Sequence, residues 1–232
     1  MAFGLLHILF LISGVLIVGC ILFLSRRYMA QKNTLTLVFT LFLISYAIIG
    51  FAYGLRGFFD PQTAPEILLW VLTNLMYPIM VVPLAVFLAY PYLQEQIGTL
   101  TGFITRLVMI FAFVVVVFNW GVIFTSDIEF TYIDLFELTH YALVSDFIPY
   151  AYYLTLLLDI VVATFSAIFL AISFKRETDS VYKQKALFLL LGWLLVSYGQ
   201  LLLLSPTLAI IHPLTSMSGV ILLVLGVIRS SS

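Results

Sequence analysis

The sequence predicts an all-α fold: a polytopic membrane protein built as a seven-transmembrane helix bundle, with its N-terminus outside and its C-terminus cytoplasmic. Three observations predict it. Of 232 residues, 63% are hydrophobic and 9% charged, with a mean hydropathy of +1.19, whereas a soluble domain carries about 25% charged residues. Seven apolar runs follow one another along the chain. The basic residues between them are distributed very unevenly.

The runs lie at about Leu5 to Leu24, Leu35 to Tyr53, Ile67 to Leu88, Leu107 to Phe124, Ile148 to Ser173, Leu187 to Leu204 and Pro213 to Ile228. Each approaches the ~20 residues that cross ~30 Å of hydrocarbon. Backbone groups in lipid are satisfied by helices or closed barrels, and continuous apolar runs point to helices rather than alternating strands. The first run starts at once, and Met1 to Leu6 lack the basic leader of a secretory signal, so a retained helix is expected. Only Ser205 to Ile211 separate the last two runs, which leaves a broken or re-entrant helix as the alternative there. No repeat, linker or low-complexity segment divides residues 1–232, so a single domain is expected.

Orientation follows from the cations. With the N-terminus outside, Arg26, Arg27, Lys32, Arg106, Lys175, Arg176, Lys183, Lys185 and Arg229 fall on the cytoplasmic side and Arg56 alone falls outside. The acidic residues Asp127, Glu129, Asp134, Glu137 and Asp146 then gather in an extracellular connection between helices four and five. This connection, at about 126–146, is the longest. Its partial alternation at Ile128, Phe130 and Tyr132 predicts a β-hairpin lid over the outer mouth, with an interfacial helix from about Asp134 to Leu143 or a plain solvated loop as rivals.

Polar residues within the spans are the candidate ligand-binding positions. Asp159 is the carboxylate in the middle of a span, where a charge costs at least ~2.5–3.5 kcal/mol, so it should turn toward other helices or water. The ridge Tyr152, Thr155, Asp159, Ala163, Ala167, Ala171 follows helical spacing, and its small residues allow close packing. Asn74 and Tyr77 of helix three, Asn119 of helix four, and Tyr198 and Gln200 of helix six reach similar depth at ~1.5 Å per residue. Together these six positions would line a cavity open to the outside and suited to a small polar or amphipathic ligand. Buried amides and phenols also join helices to one another, and a neutral Asp159 would serve equally in that way. Pro78 and Pro83 remove backbone donors from helix three and favour a kink beside the cluster.

Other chemistry finds little support. His7, His140 and His212 all fall near the outer boundary, but no ligand spacing joins them, so no metal site is expected. Cys20 has no second cysteine to pair with. A net charge of -1 argues against nucleic acid as a partner. Every lysine lies in a cytoplasmic segment, which excludes a retinal Schiff base in the last helix. Tyr90-Pro91-Tyr92 stands where eukaryotic receptors carry Asp-Arg-Tyr, and no nucleotide loop, metalloprotease motif or nucleophile elbow is present, so a non-enzymatic role is expected. Gly50 and Gly54 form a GxxxG pair that would let helix two pack closely.

The segment Lys175 to Gln200, KRETDSVYKQKALFLLLGWLLVSYGQ, carries a basic loop, Lys183-Gln184 and Gly192 within a Leu-rich helix. It resembles the seven-transmembrane N-terminal sensor region of prokaryotic histidine kinases. Trp70 and Tyr77-Pro78, and Pro213 with Gly219 and Gly226 before Arg229, are similar too. The resemblance implies a sensing module in a prokaryotic cell membrane that signals through its last helix to a cytoplasmic partner. The sequence departs from that pattern at Ser230-Ser231-Ser232, where no kinase follows. Two functional expectations result. One is a sensor that binds a small ligand from the outer side. The other is a noncatalytic subunit of a larger membrane complex, packed against other subunits, membrane lipids or pigment. Proton or small-solute transport through Asp159 is a third, weakened by the lack of an inverted repeat.

Overall fold

A computed structural model describes residues 4–93, 100–133, 138–145, 151–199, 201–202 and 208–228. Among the described residues seven α-helices form in chain order: α1 (Leu5–Gln31), α2 (Thr34–Arg56), α3 (Ala64–Leu93), α4 (Leu100–Thr125), α5 (Ala151–Arg176), α6 (Ser180–Gly199) and α7 (Ile211–Ile228). Between α4 and α5 the strands β1 (Asp127–Ile133) and β2 (Thr139–Val144) pair antiparallel. Five helical segments among the described residues are long and apolar enough to cross a membrane: Leu5–Gln31, Thr36–Arg56, Arg106–Thr125, Leu157–Arg176 and Ile211–Ile228. A mostly helical chain with such segments has the profile of an integral membrane protein.

Consecutive helices pack side by side, α1 also meets α7, and α3 also meets α5, so the bundle closes on itself. Large apolar side chains fill the interior. Phe39, Phe42, Trp193 and Leu223 are fully buried in the main core, while Val15, Leu22, Ile110, Phe113 and Phe124 stand exposed on the rim. This inside-out distribution suits a solvent as apolar as the core itself.

Glycines set the closest helix contacts. A Cβ on Gly50 would meet the Gly14 backbone at 3.4 Å, and one on Gly54 would meet Leu11 at 2.5 Å. The GxxxG pair is therefore spent on packing α2 against α1 within the chain. Gly192 and Gly219 similarly bring α6 and α7 together: a Cβ on Gly192 would lie 2.7 Å from the Gly219 carbonyl oxygen.

Helix boundaries differ from the apolar runs where polar residues continue a helix. α1 extends through Arg26 and Arg27 to Gln31, and Lys32 then closes it in a left-handed conformation (φ 53°), its N–H bonded to the Tyr28 carbonyl. α6 starts at Ser180, after Asp179 accepts the N–H groups of Val181 and Tyr182 at its entry, and takes in the basic residues through Lys185. α6 ends at Gly199, and residues 208–210 turn into α7; most of the segment between lies outside the described residues.

The hairpin is present, and residues 139–143, which the helical alternative would take in, belong to strand β2. Thr139, Tyr141 and Leu143 alternate inward on β2, while β1 is largely exposed, with a bulge between Phe130 and Tyr132. Tyr141 and Leu143 pack with Trp70, Val122 and Ile123 at one end of the bundle.

Candidate functional site

Asp159 and Asn119 meet across α5 and α4. Asn119 Nδ2 donates to Asp159 Oδ1 at 3.0 Å. Asn119 is 3% exposed, and its Oδ1 has no hydrogen-bond partner among the described residues. The pair stands above an apolar patch of Ala112, Val115 and Val162 that joins the same two helices. Next to Asn119, the Trp120 indole donates to the Leu75 carbonyl of α3 at 3.1 Å. That bond holds α3 and α4 together at the level of residues 74–75 and 119–120. Asn74, Asn119 and Asp159 therefore lie at one level of a junction between α3, α4 and α5. Asn74 itself turns back along its own helix, donating to the Trp70 carbonyl at 2.9 Å.

Two of the remaining candidates, Tyr77 and Tyr198, go elsewhere. Tyr77 packs against the main core with Tyr53 of α2 as its neighbour. The Tyr198 hydroxyl lies 2.7 Å from Thr164 Oγ1, in an exposed position between α6 and α5. Gln200 lies outside the described residues, as does the side chain of Pro83. Trp193 of α6 is a core residue whose indole donates to the Ala163 carbonyl at 2.9 Å. The Ser197 hydroxyl is buried without a partner among the described residues. On the Asp159 ridge, Ala163 is buried and Ala171 exposed.

A second polar assembly, unforeseen in the sequence, sits beneath the hairpin. Arg56, at the end of α2, donates through Nε to Glu66 Oε1 at 2.6 Å and through Nη2 to the Thr139 carbonyl of β2. Tyr141 of β2 donates to Glu66 Oε2 and accepts the Gln62 N–H at 3.0 Å. Gln62 holds a left-handed φ of 63° in the α2–α3 connection, which a non-glycine residue seldom adopts. The Arg56 guanidinium also lies 5.5 Å from the Tyr53 ring centroid and 5.8 Å from that of Tyr141. Burial first, and then the hydrogen bond and charge of Glu66, push the Tyr141 phenol up to about 12. The residue expected as a lone outer cation is thus the centre of a neutralised, buried anchor for the hairpin. The visible signal was Glu66 ten residues after Arg56, with turn residues between.

The histidines stay apart in role. His7 Nδ1 accepts the Gly4 N–H at 3.3 Å, His212 Nδ1 lies 3.1 Å from Ser216 Oγ, and His140 stacks on Tyr132 with centroids 4.5 Å apart. Among the described residues, no group of three His, Cys, Asp or Glu side chains is placed to hold a metal ion. The chain matches no known family model and no curated protein.

Proposed function

We propose that this chain is a non-enzymatic, seven-span membrane sensor, oriented with its N-terminus and hairpin outside, that binds a small ligand at the α3–α4–α5 junction and signals to a cytoplasmic partner. The observation that carries the reading is the Asn119 amide oxygen, buried without a donor among the described residues and next to the Asp159 carboxyl. Leaving a buried acceptor unsatisfied costs about 1–3 kcal/mol, which a ligand donor would recover. The hairpin that connects α4 to α5 is tied by Arg56 and Glu66 to the α2–α3 connection, so a shift of α4 against α5 would be felt across the outer end. The resemblance of Lys175 to Gln200 to prokaryotic sensor regions favours output through α6 and α7.

The test is chemical. Wild-type protein and the Asp159→Asn and Asp159→Leu variants are purified from the native membrane, and every retained small molecule is identified by mass spectrometry. A compound held by the wild type and lost from both variants supports the site. Identical retention in all three sinks it.

A noncatalytic subunit of a larger assembly is the second reading. The stripe Phe103, Ile110, Phe113, Val117 and Phe124 along α4 favours it, since these large side chains are 53–72% exposed and would equally face a neighbouring subunit. Mild-detergent purification yielding a stoichiometric heteromeric complex would favour this second reading over the first.

A further inference from the structure

Two cations converge at the end of the bundle opposite the hairpin. Arg27 of α1 donates through Nη2 to the Ile228 carbonyl at the end of α7, at 3.1 Å, and through Nε to Gln31 at 3.2 Å. On α6, Leu189 lies 2.8 Å from where a Cβ on Gly226 would be. Lys185, one turn further toward that end, is therefore level with the last residues of α7. Both side chains are half-buried. Burial, and then the Arg27 charge, hold the Lys185 ammonium below the usual lysine range, with Glu177 acting the other way. No carboxylate bonds to either cation among the described residues: Arg27 is taken up by an amide and a carbonyl, and Lys185 lies over the Tyr182 ring at 5.6 Å. Like charges drawn partly out of water repel, and an anion between them relieves the repulsion.

An apolar track leads from this pair along α1. Phe23, one turn before Arg27, is 50% exposed, and Leu16 and Ile12 continue the same face at 47% and 46%. Between Phe23 and Leu16 lies Gly19, where an added Cβ would meet nothing within 4 Å. The face from Ile12 to Arg27 runs about 22 Å at 1.5 Å per residue, the scale of an acyl chain within one leaflet.

We propose that Arg27 and Lys185 bind the phosphate of an anionic phospholipid whose acyl chain lies along the Phe23, Gly19 and Leu16 face of α1. The guanidinium fork and the ammonium supply charge-assisted donors to phosphate. A lipid fits better than soluble phosphate because one amphipathic molecule meets both the cation pair and the apolar track. Arg26, Lys175, Arg176 and Lys183 at the same end are exposed and add a general attraction to an anionic leaflet, without forming the site.

The test uses the full chain in neutral detergent. Binding of phosphatidylglycerol, of phosphatidylcholine with the same chains, and of inorganic phosphate is followed by native mass spectrometry and thermal stabilisation. Phosphatidylglycerol should be preferred, and Arg27→Gln or Lys185→Gln should each weaken its binding about fivefold. A Lys175→Gln/Arg176→Gln control should change it by less than about twofold. Gly19→Phe, which keeps every charge, should also weaken binding by blocking the track. Where Arg27→Gln loses the fold, Lys185→Gln and Gly19→Phe decide, as both leave the Arg27–Ile228 bond in place. Equal loss in the Lys175/Arg176 control, equal binding of phosphatidylcholine, or full displacement by inorganic phosphate would each overturn the proposal.

Discussion

Arg56 Nε and Glu66 Oε1 lie 2.6 Å apart, with their side chains 1% and 2% exposed. Ten residues separate them in the chain, and the pair closes the α2–α3 connection while Arg56 and the Glu66 partner Tyr141 hold β2. A buried ion pair adds little net stability over an apolar substitute, but removing one partner strands the other charge.

Arg56→Met and Glu66→Leu should therefore each destabilise the protein by about 3–5 kcal/mol, while the double variant recovers most of the loss. Unfolding in detergent followed by circular dichroism checks this. A double variant as unstable as the sum of the singles would mean that the pair is not coupled.

Tyr141 makes the hairpin sensitive to alkali. A phenol near 12 in the fold keeps its proton after the unfolded chain, at about 10, has lost its own. Its contribution is complete below about pH 10 and fades as pH rises toward 12. Hydrogen exchange across residues 139–144 should accelerate over that window in the wild type, and Tyr141→Phe should be less stable at neutral pH but lack the alkaline step.

Two glycines should behave oppositely. Gly192→Ala puts a methyl 2.7 Å from the Gly219 carbonyl and 2.8 Å from the Leu223 nitrogen, both backbone atoms. It should force α6 from α7 and cost about 1–3 kcal/mol. Gly19→Ala meets nothing and should leave stability unchanged or raise it by about 0.5–1 kcal/mol through helix propensity. Thermal midpoints of the two variants give the comparison.

The proposed orientation is open to labelling. In a Cys20→Ser background, Glu129→Cys in β1 should react with a membrane-impermeant thiol reagent added outside intact cells. Asp179→Cys, between α5 and α6, should react only after permeabilisation. The reverse pattern would invert the bundle.

The helices are legible along the chain because lipid demands long apolar runs, and that demand is written residue by residue. The polar ends of α1 and α6 are not, since Arg26 to Gln31 and Ser180 to Lys185 extend these helices past the apolar runs, where hydropathy carries no signal. Asp159 was visible as an expensive charge, yet its neighbour was not: Asn119 reaches it at 3.0 Å, whereas Tyr77 and Tyr198 of similar depth face Tyr53 and Thr164. Depth along a helix follows from residue number, but the direction a side chain faces depends on how each helix is rotated against its neighbours.

The sequence by itself determined the membrane character, the succession of helices and the concentration of cations at one end, because these depend on composition and order alone. Tertiary structure decided that Arg56 is buried with Glu66 beneath the hairpin, that Gly50 and Gly54 serve α1, and that Arg27 bonds the end of α7. Each of these joins residues from separate elements, and such contacts are selected by packing the whole bundle, a constraint that no local stretch of sequence contains.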